Sequence, residues 1–296
     1  MGTATRRRVR LATRVSSVCA AVLISGCVWQ AAQFWVAGEQ VELRATDADE
    51  RPAAHDAPKI LLVAIDGIDR PLLYDMLRAG ELPEMARLLG DEGSHEFAHA
   101  WFEDSIVSVL PSSTAVSWAT TVTGANPAEH GVAGNEYFIR ATGEYAAPVP
   151  VTIPEATQVF KIYTDGYAND LLEVPTIYER LRETDPGARI WVGMHQFYRG
   201  ADRLILTDRT AMLDAFQSLF AEHVAGQLTG AQSLSLFEEL DAEVIENMDD
   251  LIEDEPAADV ITIYLPGLDH YAHITDADPD VSRRDCLKKG LEPMMA

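Results

Sequence analysis

Asp66 closes an uninterrupted apolar run, Lys59-Ile60-Leu61-Leu62-Val63-Ala64-Ile65, and is followed at once by Gly67. Asp269 stands just past a second such run, Asp259-Val260-Ile261-Thr262-Ile263-Tyr264-Leu265, and His273 follows four residues later. Between them Thr114 lies in Leu110-Pro111-Ser112-Ser113-Thr114, ahead of a mostly apolar stretch to Val122. Carboxylates and an imidazole are donors for a divalent cation of the zinc or manganese type. A hydroxyl attacks an electrophile only when a base or a metal lowers its pKa. Together these residue types are the parts of a metal-assisted displacement. Singly they have plainer readings, since a Ser/Thr cluster ahead of a helix is more often a set of N-caps.

The elements that must hold these residues are visible in the pattern. The runs at 59–65 and 259–265 are apolar on both faces, as in buried strands of a parallel sheet. An acid just past such a strand sits at the edge where open α/β sheets place ligands. Two acids 203 residues apart in sequence are thereby expected at one edge. Helices are predicted over Pro71–Leu77, Pro83–Leu89, Ser112–Val122 and Pro175–Glu183, two of them opened by proline in the first turn. Further strands are expected over Ala98–Phe102, Ala188–Met194 and Leu204–Thr207. Ala211 to Leu251 reads as largely helical, and a last helix runs from Val281 to Ala296. Alternating strands and helices give the fold class α/β, with a doubly wound, mostly parallel sheet.

Three motifs, taken in order, decide between the readings of Thr114. They are Asp66-Gly67 after an apolar strand, then Pro111-x-x-Thr114 with Thr123-Gly124-x-x-Pro127-x-x-His130-Gly131, then Asp269-x-x-x-His273 after a second strand. This series resembles the type I phosphodiesterase/nucleotide pyrophosphatase family of the alkaline phosphatase superfamily. The resemblance spans residues 59 to 273. It implies an alkaline-phosphatase-like domain and metal-dependent hydrolysis of phosphate mono- or diesters. Thr114 would be the nucleophile, passing through a phosphothreonine. Asp66 and Thr114 would bind one divalent ion, Asp269 and His273 another, zinc or manganese. A small phosphoester is the implied substrate.

The sequence departs from the family in two respects. Ser117 stands where many members carry asparagine three residues after the nucleophile, and Ser117 and Asn135 are the candidate substrate contacts. The family also supplies an Asp-His pair and a distal His, and none follows His273 here. The domain over residues 59–296 is therefore expected to be partial, with its C-terminal part missing. Residues 135–258 are read as an insertion on the substrate side. A non-catalytic lipoprotein that keeps the fold as a binding module is the alternative. His130 and His270 are read as structural, and His195 and Arg199 as exposed surface residues, contact with phosphate or a leaving group being the alternative.

His95-Glu96-Phe97-Ala98-His99 matches the zinc-protease pattern H-E-x-x-H, which needs a helix to put both histidines on one face. The neighbouring residues read as a strand, where the histidines would lie roughly 13 Å apart, too far for one zinc.

The N-terminus follows a different logic. Arg6, Arg7, Arg8, Arg10 and Arg14 precede a short apolar run, Val15 to Gly26, too short to span a bilayer. Ile24-Ser25-Gly26-Cys27 resembles a bacterial lipobox, which implies a signal peptide over 1–26, a lipidated Cys27 and a tether over 27–58. The expected location is the cell envelope, exported and lipid-anchored to the membrane. Without residues 1–26 the chain carries 18 basic against 47 acidic residues, a net of −29. Such a surface repels nucleic acid, and a protein of this charge that handles phosphate needs local positive charge, which bound metal supplies. Cys286 is the single cysteine of the body, so the fold rests on its core and not on a disulfide.

Overall fold

The computed structural model describes residues 60–90, 97, 100–103, 105–149, 162, 166–206, 235–255, 258–275 and 281–295, without the side chains of 235–240, 270, 274 and 275. In chain order the elements are β1 (Ile60–Ile65), α1 (Arg70–Arg78), α2 (Pro83–Leu88), α3 (Thr114–Thr123), α4 (Pro127–His130), β2 (Tyr137–Ile139), β3 (Glu144–Ala146) and α5 (Tyr167–Asp170). Then follow α6 (Ile177–Thr184), β4 (Ile190–Gly193), β5 (Arg203–Ile205), α7 (Ser235–Asp254), β6 (Val260–Leu265), α8 (Gly267–Thr275) and α9 (Arg283–Cys286).

The main sheet runs β1-β6-β4-β5, and every pairing among these described strands is parallel. β2 and β3 form a separate antiparallel pair. β1 and β6 are in register from Ile60↔Val260 to Ile65↔Leu265, so Asp66 and the residues that follow Leu265 emerge at the same edge. The apolar runs on both strands are explained by layers on both faces. On β4, Ile190 and Val192 pack against Tyr178 of α6, whereas Trp191 packs against Met248 of α7. Gly193 leaves room for α7, since a Cβ there would lie 3.3 Å from both Met248 Cε and Val244 Cγ2. Burial of Val244 and Met248 contributes about 1.5–3 kcal/mol each. The α/β, mostly parallel architecture thus agrees with the sequence reading.

Local signals account for the helices. Asp69 caps α1, accepting from Leu72 N at 3.1 Å, and Pro71 occupies its first turn. The N-terminus of α2 is capped from the far end of the chain, where Glu292 Oε1 accepts from Glu84 N at 2.7 Å. Leu287 and Leu291 join Leu73, Met76, Leu77 and Leu268 in one core cluster, so residues 281–295 are an integral layer.

Several expectations need correction. Ala100 to Phe102 is not a strand, and 98 and 99 lie outside the described residues. Phe102 instead packs edge-on against Tyr74 and Phe97. The last segment is not one helix but α9, a π-turn at Leu287–Leu291 and a 3-10 turn at Glu292–Met295. Pro293, which lacks an N–H, lies in that tighter turn. In the H-E-x-x-H segment His95, Glu96 and His99 lie outside the described residues. Phe97 has φ +46°, which no right-handed helix contains. The leader, Cys27 and the tether also lie outside the described residues, as do 211–234.

Candidate active site

The C-terminal edge of the sheet gathers the predicted acids. Asp66 follows β1 directly and its N–H still donates to Leu265 O of β6 at 3.1 Å. Its carboxylate is held at both oxygens, Oδ1 accepting from Gly67 N at 2.9 Å and Oδ2 from the Tyr264 hydroxyl at 2.8 Å. Gly67 is glycine for two reasons. Its φ is +78°, and a Cβ there would lie 2.6 Å from the Cα of Asp269. The Asp-Gly pair is therefore what lets the end of β1 approach the start of α8 closely enough to face one acid with the other.

Asp269 lies in the first turn of α8, whose start is fixed by Gly267 N donating to the buried Asp241 Oδ2 at 3.0 Å. Burial, and then the neighbouring Asp66 charge, push the Asp269 carboxyl above the usual carboxylate range, while His273 pulls it down. His273 sits one turn along, its Nε2 3.5 Å from Asp269 Oδ2, on an exposed face. Two carboxylates that repel one another beside an imidazole suit a divalent cation in donor chemistry. A ready-made group of three or more metal donors is absent among the described residues.

Thr114 is the first residue of α3. The cap position before it, Ser113, makes no side-chain cap bond, and its buried Oγ has no hydrogen-bond partner among the described residues. Asn135 does that work from a distance, its Oδ1 accepting from Ala115 N at 2.9 Å. Asn135 is thereby placed beside the residue next to Thr114. Ser117 lies on the same helix, 3.5 Å from Ser108 Oγ. One turn beyond Thr114, about 6 Å along the axis, Trp118 stands edge-on to Tyr264 with centroids 5.5 Å apart. The hydroxyl helix and the Asp66 carboxylate are thus linked through two side chains.

Two residues read as surface are not exposed in that way. His195 is 1% exposed, wedged against Trp118 and Tyr264 at 5.6 and 5.2 Å. Arg199 ties α6 to the α5 region. Its guanidinium donates to both Glu179 oxygens and to the carbonyls of Asn169, Leu172 and Val174. His130 is buried and structural as expected, bonded to Thr120 Oγ1 at 3.1 Å and to Val132 N at 3.1 Å. The side chain of His270 lies outside the described residues. Sequence reasoning missed Tyr264 and Trp118 as site builders. The signal available was a polar-tipped Tyr264 at the penultimate position of a buried strand.

The sequence profile of the type I phosphodiesterase / nucleotide pyrophosphatase family matches residues 60–284. The chain belongs to that family. No curated protein matches it significantly. Among solved structures, murine ectonucleotide pyrophosphatase / phosphodiesterase 5 is similar at a TM-score of 0.49 and 14% identity, over 80% of this chain and 50% of that one. Its inactive variant in complex with AMP gives the same figures. Phosphonoacetate hydrolase from Sinorhizobium meliloti 1021, in complex with phosphonoformate, is similar at 0.44 and 18% identity, over 86% of this chain and 56% of that one. The chain thus spans about half the length of the solved structures it matches.

Proposed function

We propose that this phosphodiesterase-family chain carries the nucleophile side of a metal-dependent phosphoester hydrolase, with Thr114 as the attacking group. The observation that carries the reading is the meeting of Asp66 and Asp269 at the sheet edge, to which α3 is joined through Trp118 and Tyr264. Asp66 and Thr114 would hold one divalent ion, and Asp269 and His273 a second. Bound there, zinc or manganese would supply positive charge to the phosphoryl oxygens and lower the pKa of a coordinated hydroxyl.

The chain's own residues do the rest. The Thr114 hydroxyl gives up its proton to water as its oxygen, at the positive end of α3, attacks phosphorus in line, and the bond to the leaving oxygen breaks as the Thr114 O–P bond forms. The leaving oxygen departs with the electron pair and takes a proton from water. Water then attacks the phosphothreonine from the opposite side, releasing phosphate, or its monoester, and restoring Thr114. Asn135, fixed at Ala115 N, offers its Nδ2 hydrogens to a phosphoryl oxygen, and Ser117 offers a shorter hydroxyl on the same helix.

Purified protein should hydrolyse nitrophenyl phosphate esters when zinc or manganese is added, and Thr114→Ala should abolish turnover while leaving the fold intact. Equal rates in the two proteins would remove Thr114 as nucleophile. No turnover with any ester or metal would favour the binding-module reading. Attachment to the bacterial envelope through a lipidated Cys27 is part of the same proposal. Cys27→Ser should move the protein from the membrane to the soluble fraction.

A further inference from the structure

His195 lies in none of the family motifs, yet it is built into the site with unusual care. It follows β4 at the same sheet edge as Asp66 and is 1% exposed. Its ring is perpendicular to Trp118 (85°, 5.6 Å) and steeply inclined to Tyr264 (71°, 5.2 Å), so it touches both links between Thr114 and Asp66. The turn that sends it there is strained, because the preceding Met194 is buried at φ +60°, a conformation that a long L side chain rarely adopts.

The contacts at Nδ1 fix the ring in place. His195 Nδ1 lies 3.0 Å from Phe197 N and 3.1 Å from Phe197 O, so the ring is anchored through Nδ1 in either tautomer. Its Nε2 is buried and has no hydrogen-bond partner among the described residues. The rings packed against the imidazole are those of Trp118 and Tyr264. A residue that only filled volume would carry no buried, unpartnered ring nitrogen and would need no strained turn before it.

We propose that His195 is a positioning residue, a wedge that holds Trp118, and with it the helix bearing Thr114, at a set spacing from Tyr264 and the Asp66 carboxylate that Tyr264 orients. The proposal rests on the reading of Thr114 and Asp66 as reacting and metal-binding groups. Burial holds the imidazole neutral, so the wedge carries no charge into the site. It acts through the two aromatic rings and not through substrate.

The test is His195→Ala beside His195→Phe, read two ways. The first reading needs no turnover: the indole resonance of Trp118 and the ring resonances of Tyr264 should both shift in His195→Ala. The second is kinetic, with nitrophenyl esters and added zinc. His195→Ala should lower kcat about 10- to 100-fold, the range of lost outer-shell support, with KM little changed, and His195→Phe should recover most of it. Should His195→Ala fail to fold, His195→Asn serves, its amide being too small to reach both rings. Unmoved Trp118 and Tyr264 resonances overturn the proposal, as does an unchanged kcat per folded molecule. If the wild type turns over no faster than Thr114→Ala, the nucleophile reading fails, and the resonances alone judge the wedge.

Discussion

Tyr264 donates its phenolic O–H to Asp66 Oδ2 at 2.8 Å, so the acid that ends β1 is oriented by a side chain of the strand beside it. With Gly67 N on Oδ1, the carboxylate is held in one plane before any ligand arrives. Partners of this kind typically set metal affinity or activity by 10- to 100-fold. Tyr264→Phe keeps the ring that Trp118 and His195 touch and removes only the hydroxyl. It should weaken zinc binding by about that factor, as measured by calorimetric titration. Unchanged affinity would mean that the hydrogen bond does not orient a ligand.

The Asp66–Asp269 pair makes a prediction about stability. Burial and Asp66 raise the Asp269 pKa above its ordinary 3.8, so the folded state binds that proton more tightly than the unfolded state does. The associated stability is fully present below the ordinary value and is lost as pH rises through the shifted one. Metal-free protein should therefore melt lower at neutral pH than Asp269→Asn does. Added zinc should raise the Tm of the wild type and not of the variant, because a ligand stabilises only the state that binds it. A variant that melts no higher than the wild type without metal would show that the carboxylates do not repel across the site.

The strands and their acids were legible because both rest on strong local patterns. The six-residue, mostly apolar runs on β1 and β6 require burial on both faces; Asp66 comes immediately after the first and Asp269 four residues after the second. Ala98–Phe102 misled because its alternation of apolar residues is met by aromatic packing against Tyr74 and Phe97 in place of a strand ladder. Asn135 could be flagged but not given its role, since capping α3 from 20 residues away is a tertiary contact without a local signature. His195 and Arg199 read as surface because polar residues after a strand usually are. What buries one is the turn at Met194, and what engages the other is a set of carbonyls from residues 169–174.

Arg199 gives the sharpest structural test. Its Nε lies 3.0 Å from each Glu179 carboxylate oxygen, and its two terminal nitrogens serve the carbonyls of Asn169 at 2.8 Å, Leu172 at 3.0 Å and Val174 at 2.6 Å. Lysine has no planar fork and cannot serve Glu179 and the three carbonyls together. Arg199→Lys should cost about 2–4 kcal/mol in urea unfolding, since carbonyls packed around the guanidinium lose charged donors. Activity per folded molecule should be unchanged. A raised KM at intact stability would instead place Arg199 against substrate.

His195 makes the fold sensitive to acid in a predictable direction. Burial lowers its pKa from 6.5 to about 4, so the unfolded chain takes up the proton first as pH falls. Its contribution is complete above pH 6.5 and drains away as pH falls through the folded value of about 4. A shift of this size corresponds to about 3 kcal/mol at 1.36 kcal/mol per unit. Urea midpoints measured from pH 7 to pH 4 should fall in the wild type. The fall should be shallower in His195→Phe, which carries nothing to protonate at that position. Parallel profiles for the two proteins would show that the imidazole is reached by solvent, contrary to its burial between Trp118 and Tyr264.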